Sequence, residues 1–259
     1  MSEFSTQKLR VSYSAKTVID SMDLNIPREK ITTIIGPNAA GKSTLLHAIS
    51  RLLKPASGQV LLDGKSIHAM RSRDLAKDLG LLPQAPSVPQ GIRVAELVAR
   101  GRHPHHGVFG GWTSDDEEAV AAALLATDTL EIAEENMDEL SGGQRQRVWI
   151  AMALAQQTDI LLLDEPVTFL DLTHQVEIFN LLRVLHARAR KTIVVVIHDV
   201  NLAAHYSDHI VALKSGRVFA EGAPEEIVNF ENLRVIFEVE TIIISHPQTG
   251  RPFALPIHQ

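Results

Sequence analysis

Short continuous apolar runs, more than alternating ones, set the pattern of this chain. Ile31–Ile35 is a short, mostly apolar, β-branched run that ends at Gly36, which predicts a buried strand. Residues 160–163 and 193–197 are runs of the kind buried on both faces of a parallel sheet. Between them residues 173–188 read as a helical crossover, so the three segments form a βαβ unit. Residues 42–53 read as a helix, stopped by Lys54 and Pro55. Residues 59–62 form a further strand that turns at Asp63 and Gly64. Residues 210–213 and 217–220 flank Ser215 and Gly216 as a hairpin.

From Pro83 to Gln157 the character changes. Pro83, Pro86 and Pro89 mark a break, and residues 94–100, 114–126 and 142–157 read as helices. The intervening residues 103–112, rich in His and Gly, read as a loop. The fold class is α/β, with a mixed sheet core interrupted by a helical subdomain. The expected division is a core lobe of about 1–88 and 157–236, a helical lobe of about 89–156, and a tail of 237–259. The tail reads as a strand followed by a proline-containing stretch, with no role assigned.

A chain of 259 residues is long enough for one core with a smaller lobe. An apolar fraction of 45% and a charged fraction of 22% are those of an ordinary globular protein. The net charge of -6 gives no general reason to bind nucleic acid or anionic lipid. There is no cysteine, which excludes disulfides and thiolate metal sites and fits a reducing compartment. Residues 1–13 carry no apolar stretch of the secretory-signal kind. The longest apolar runs, 119–126 and 193–197, fall far short of the roughly 20 residues a membrane helix needs. Any membrane role is therefore expected to come through a partner chain.

Three strings carry chemistry. Gly36, Pro37, Asn38, Ala39, Ala40, Gly41, Lys42, Ser43 and Thr44 match the phosphate loop G-x-x-x-x-G-K-[ST], placed between a strand and a helix as that loop requires. Glycines let backbone N–H groups curl around phosphates, and the helix start adds partial positive charge. Lys42 would pair with the β and γ phosphates, and Ser43 would ligate Mg²⁺. The bland alternative is a chance glycine-rich turn. The second string ends the run 160–163 with Asp164 and Glu165, at the strand end where open α/β sheets bind ligands. Asp164 can hold Mg²⁺ directly or through water, and Glu165 can orient and deprotonate an attacking water. The third is Leu140, Ser141, Gly142, Gly143, Gln144 and Arg145. Ser141 with Gln144 is a capping box. The adjacent glycines, which weaken a first turn, instead suit N–H groups facing a phosphate.

The third string resembles the signature of ABC transporter ATP-binding subunits, and the other two lie at compatible distances on either side. The resemblance, from Tyr13 to about Glu240, implies the ABC ATPase fold, a P-loop NTPase core with an inserted helical subdomain. It also implies further roles. Gln84 resembles the glutamine that senses Mg²⁺ and the attacking water. Asp171 resembles the aspartate that communicates across the dimer, with helix capping as a compatible role. His198 resembles the switch histidine that touches the γ-phosphate, and Tyr13 the aromatic that stacks on adenine. The implied catalytic groups are Glu165, His198, Gln84 and Lys42. The implied Mg²⁺ ligands are Ser43, Gln84 and Asp164, and the cofactors are ATP and Mg²⁺. The chain would act as a homodimer, each ATP lying on the phosphate loop of one copy and meeting Ser141, Gly142 and Gly143 of the other. The other implied partners are integral-membrane permease subunits and, indirectly, an extracytoplasmic substrate-binding protein, with no nucleic acid. The location would be the cytoplasmic face of the membrane.

Two positions depart from the family pattern. Ala39 stands where glycine is usual, so this position is expected to avoid positive φ. Val167 stands where Thr or Ser is common. Neither removes a ligand.

Residues 101–109 with Trp112, residues 151–156, residues 168–172 with His174 and Gln175, and residues 246–252 resemble the equivalent stretches of ferric-siderophore importers. Haem and cobalamin importers are the alternatives within that subgroup. A soluble ABC protein of translation or repair would carry two cassettes or a long coiled-coil insertion, and neither is seen. A nucleotide-binding regulator without turnover is disfavoured by Glu165 and His198. His103, His105 and His106 lack a supporting carboxylate or helical pair for a metal site. Phe109 and Trp112 read either as anchors for the permease or as packing of the helical lobe.

Overall fold

The computed structural model describes residues 4–14, 16–84, 86–87, 89–107, 110–168 and 170–257. They form two compact units, one of Met1–Ala69 with Thr192–Gln259 and one of Met70–Lys191.

The first unit begins with antiparallel strands β1 (Phe4–Tyr13) and β2 (Lys16–Ile26). Strand β3 (Ile31–Ile35) leads through residues 36–41 into helix α1 (Lys42–Ile49). Strands β4 (Ser57–Leu62) and β5 (Lys65–Ser66) complete an antiparallel sheet of order β2-β1-β4-β5. Helix α1 stops before the expected Lys54 and Pro55. The Ser50 hydroxyl donates to the His47 carbonyl at 3.1 Å, and Arg51 turns left-handed at φ 67.

The second unit holds α2 (Ser72–Asp78), β6 (Leu79–Leu82), α3 (Val94–Ala99), α4 (Ser114–Ala126), α5 (Gly142–Ala155), β7 (Ile160–Asp164) and α6 (Leu172–Ala189). Strands β6 and β7 run parallel, Leu79 opposite Ile160. Helices α3, α4 and α5 pack together, and Leu97, Val98, Val120, Ala123, Val148 and Ile150 on them are buried. Helix α4 matches its expected bounds because the Asp116 carboxylate accepts from the Thr113 backbone N–H and hydroxyl at 3.0 and 2.7 Å, closing its first turn. Helix α5 stops two residues before Gln157, which turns left-handed at φ 56.

The stretch 103–112 is not all loop, since Arg100–His105 forms a 3-10 turn. Buried Arg102 fixes it by donating to Asp116 at 2.9 Å and to the Ala155 carbonyl at 2.7 Å.

The chain returns to the first unit with β8 (Thr192–Val196), α7 (Val200–Tyr206), β9 (His209–Lys214) and β10 (Arg217–Gly222). Strand β3 pairs in parallel with β8 and with β9, and β9 pairs antiparallel with β10, which makes this sheet mixed. All five positions of β3 and of β8 are buried, Thr32, Thr33 and Thr192 included, which is why neither strand shows an alternation of buried and exposed positions. Helices α8 (Pro224–Ile227) and α9 (Phe230–Phe237) follow. The expected strand-and-tail is a hairpin of β11 (Thr241–Ser245) and β12 (Pro252–Pro256), with Thr241 opposite Pro256 and Ser245 opposite Pro252. Among the described residues no helix is long and apolar enough to cross a membrane.

Candidate functional site

In the first unit the loop from Gly36 to Gly41 turns β3 into α1. At Gly36, with φ 150, an added Cβ would lie 2.3 Å from the Leu213 carbonyl oxygen, so only glycine lets the loop leave the sheet this close to β9. The loop closes on itself through Ala40 N–H to the Pro37 carbonyl at 3.2 Å. The Ala40 carbonyl accepts from Gly216 N–H at 3.1 Å, which ties the loop to the β9–β10 turn. Lys42 is 5% exposed, and its Nζ donates to the carbonyls of Gly36 and Pro37 at 2.9 and 3.0 Å. These bonds satisfy a buried ammonium and hold it over the loop. Ala39 adopts φ 63, against the expectation from its side chain. The turn demands the left-handed region there, and alanine accepts it at a modest cost.

Two other expected residues lie in this unit. Tyr13 ends β1, 47% exposed, so its ring is available to stack on a flat ligand. His198 is exposed in the short connection between the buried strand β8 and helix α7.

In the second unit β7 carries Asp164 at its buried end, 2% exposed. Glu165 follows at φ 49, a left-handed conformation uncommon outside glycine. Its Oε2 accepts from Gln84 Nε2 at 2.6 Å and from the Thr168 hydroxyl at 3.0 Å. The structure thus brings Gln84 and Glu165 together from 81 residues apart. Thr168 is thus a positioning group for Glu165. Its signal was a hydroxyl three residues beyond the carboxylate. Val167 is 7% exposed, so an apolar side chain suits its place while the hydroxyl next to it serves Glu165.

The start of α5 is capped reciprocally. Ser141 Oγ accepts from Gln144 N–H at 3.2 Å, and Gln144 Oε1 accepts from Ser141 N–H at 2.9 Å. Gly143 has a second reason to be glycine, because a Cβ there would meet His174 Cδ2 at 2.2 Å. The His174 ring is held by a hydrogen bond between its Nδ1 and Asp171 Oδ1 at 2.7 Å. Asp171 caps α6, accepting from His174 N–H at 3.0 Å. These two His174 bonds, backbone then side chain, hold the Asp171 carboxyl below its usual value. His174, like Thr168, is a structural partner with no expected role of its own.

Two histidines at the end of the 3-10 stretch are tied locally. The His105 ring bonds the Gln156 carbonyl at 2.8 Å, and the His106 ring lies 3.3 Å from Asp116 and stacks on Trp112 at 5.7 Å. Among the described residues no cluster of His, Cys, Asp and Glu is fit to hold a metal ion. Trp112 is 48% exposed, and Phe109 lies outside the described residues.

A phosphate loop on a strand–helix turn, with acids ending another strand, defines a P-loop nucleotide hydrolase. Comparison with known proteins narrows the class. The ABC transporter family model matches residues 19–168, and the chain belongs to that family. Within it the chain is an ATP-binding subunit, an ATPase of transport. It is 46% identical over 255 residues to the iron(3+)-hydroxamate import ATP-binding protein FhuC of Bacillus subtilis, covering 98% of this chain and 95% of that one. It is 46% identical over 251 residues to the ferric enterobactin transport ATP-binding protein FepC of Escherichia coli, covering 97% and 93%. Among solved structures, the dimeric structure of a bacterial ABC transporter cassette has a TM-score of 0.74 at 28% identity, covering 86% of this chain and 98% of that one.

Proposed function

We propose that this chain binds and hydrolyses ATP to energise uptake of a ferric siderophore, working as a homodimer on the cytoplasmic face of the membrane beneath permease subunits. The observation that carries the enzymatic part is Glu165, presented beyond the buried Asp164 and held by Gln84 and Thr168. The names of the relatives support the choice of cargo.

In this reading residues 36–44 cradle the phosphates, with Lys42 on the β and γ groups and Tyr13 stacked on adenine. Glu165 orients and deprotonates the attacking water, a role worth roughly 10²–10⁴-fold in rate. Gln84 senses the water, and His198 touches the γ-phosphate. Ser141, Gly142, Gly143 and Gln144 of one copy meet the ATP held by the other, and Asp171 communicates across the dimer. Closure follows from tighter ATP binding in the closed pair than in the open one. The oxygen donors Ser43, Gln84 and Asp164 suit a hard cation, so they would hold Mg²⁺, which neutralises charge on the transferred phosphoryl group. The permease would dock near Gln84, at the junction of a core lobe of about 1–88 and 157–236 with a helical lobe of about 89–156.

Two measurements test this. Phosphate release from ATP by the full-length chain with its permease is expected to be lost in Glu165→Gln, and equal release would refute the assignment. Uptake of radiolabelled ferric siderophore by cells lacking the gene is expected to return with the unchanged chain and not with Lys42→Ala. Restored ATPase without any siderophore uptake would refute the cargo alone.

A further inference from the structure

Helix α7 has seven residues, too short to hold its shape or direction unaided. Its N-cap is Asp199, whose Oδ1 accepts from Leu202 N–H at 2.9 Å. The C-terminal hairpin grips the same helix at both ends. In the first turn Asn201 makes a two-way bond to β12, its Nδ2 donating to the Ala254 carbonyl at 3.1 Å and its Oδ1 accepting from Ala254 N–H at 2.7 Å. At the far end Arg251 Nη1 reaches the carbonyls of Ala204, His205 and Ser207 at 2.9, 3.0 and 2.6 Å. A guanidinium there meets the negative end of the helix and its last carbonyls. The His205 ring lies 5.5 Å from that of His246, which precedes the hairpin turn. The turn is itself closed by His246 N–H to the Arg251 carbonyl and Gly250 N–H to the His246 carbonyl, each at 2.8 Å.

His198 sits between β8, buried and paired along its length with β3, and this clamped helix. We propose that the β11–β12 hairpin is a brace that fixes His198 through α7, with Arg251 and Asn201 as positioning residues for ATP hydrolysis. It rests on the reading of His198 as the group that touches the γ-phosphate. Misplacing such a group by about 1 Å can cost on the order of 100-fold in rate.

The test uses the full-length chain carrying Asn201→Ala with Arg251→Ala. Turnover of ATP is expected to fall about 10-fold or more, while KM and the affinity for a fluorescent ATP analogue stay within about twofold. Arg251→Lys regains part of the rate, because a cation remains at the helix end. Hydrogen exchange quickens at α7 amides and not at α1 amides. Unchanged turnover in the double variant overturns the proposal, as does an affinity that falls in step with turnover, since the hairpin would then only shore up the unit. His198→Ala is measured alongside. A slow His198→Ala beside an unaffected double variant overturns the role of the hairpin alone. A His198→Ala that turns over normally overturns the reading of His198, and the brace with it.

Discussion

Gly36→Ala tests whether the phosphate loop is shaped by its closeness to β9. The added Cβ would start 2.3 Å from the Leu213 oxygen and 3.2 Å from the Leu213 carbonyl carbon. Ordinary carbon–oxygen contact lies at about 3.3–3.6 Å, so a gap of about 1 Å must open. Leu213 cannot retreat easily, because it is fully buried and paired with Val218 of β10. The loop moves instead, and it carries the two carbonyls that hold Lys42. Overpacking costs about 1–3 kcal/mol, and the backbone at φ 150 adds about 1 kcal/mol or more. For a chain of this size about 1 kcal/mol lowers Tm by roughly 2–4 °C, so a fall of about 5–15 °C is expected. Gly64→Ala is the control. Gly64 has φ 74 and nothing within 4 Å of an added Cβ, so only the backbone contribution applies, about 2–4 °C. Scanning calorimetry reads both variants, and ATP titration of Gly36→Ala should show at least about 10-fold weaker binding. A Gly36→Ala chain that melts no lower than Gly64→Ala and binds ATP normally would refute the steric argument.

Three further outcomes are expected. Lys42→Ala loses ATP affinity, and calorimetry showing unchanged binding would contradict the loop's role. Glu165→Gln keeps ATP and accumulates as a closed dimer, so gel filtration with ATP and Mg²⁺ that finds only monomer would count against the scheme. Burial, partly opposed by Glu221, holds the His209 imidazole below its ordinary value. The unfolded chain then binds more protons than the folded one from about pH 6.5 down to the folded value, and stability falls as pH drops through that window. His209→Gln is expected to make this slope shallower in melting curves from pH 7.5 to 5, and an unchanged slope would exclude His209 as its source.

The parts of the fold legible in the sequence were those set by local chemistry. Ile31–Ile35 reads as a buried strand because burial on both faces leaves no alternation to find. The Ser141–Gln144 pair reads as a cap because its two bonds span three residues. Legibility failed where the deciding contact is distant. Nothing near Gly143 in the chain reveals the His174 ring against it, and nothing near Gln84 reveals its bond to Glu165. The early end of α1 turns on a left-handed Arg51, a conformation arginine gives no hint of. In the tail, the proline-containing stretch reads as no element, yet Pro252 and Pro256 sit at the two ends of β12, where a missing N–H costs little.

Ala39 bears on how the loop keeps its form. Left-handed backbone costs an alanine about 1–2 kcal/mol, but glycine would bring a floppier unfolded chain, worth about 0.4–1 kcal/mol in the opposite sense. The first outweighs the second, so this departure from the family habit costs a fraction of a kcal/mol to about 1 kcal/mol of stability. The contour here is imposed from outside, by the Gly216 turn gripping the Ala40 carbonyl and by Lys42 bridging the first two carbonyls. It behaves as a cast held in a mould, its outline set by the protein's own bonds.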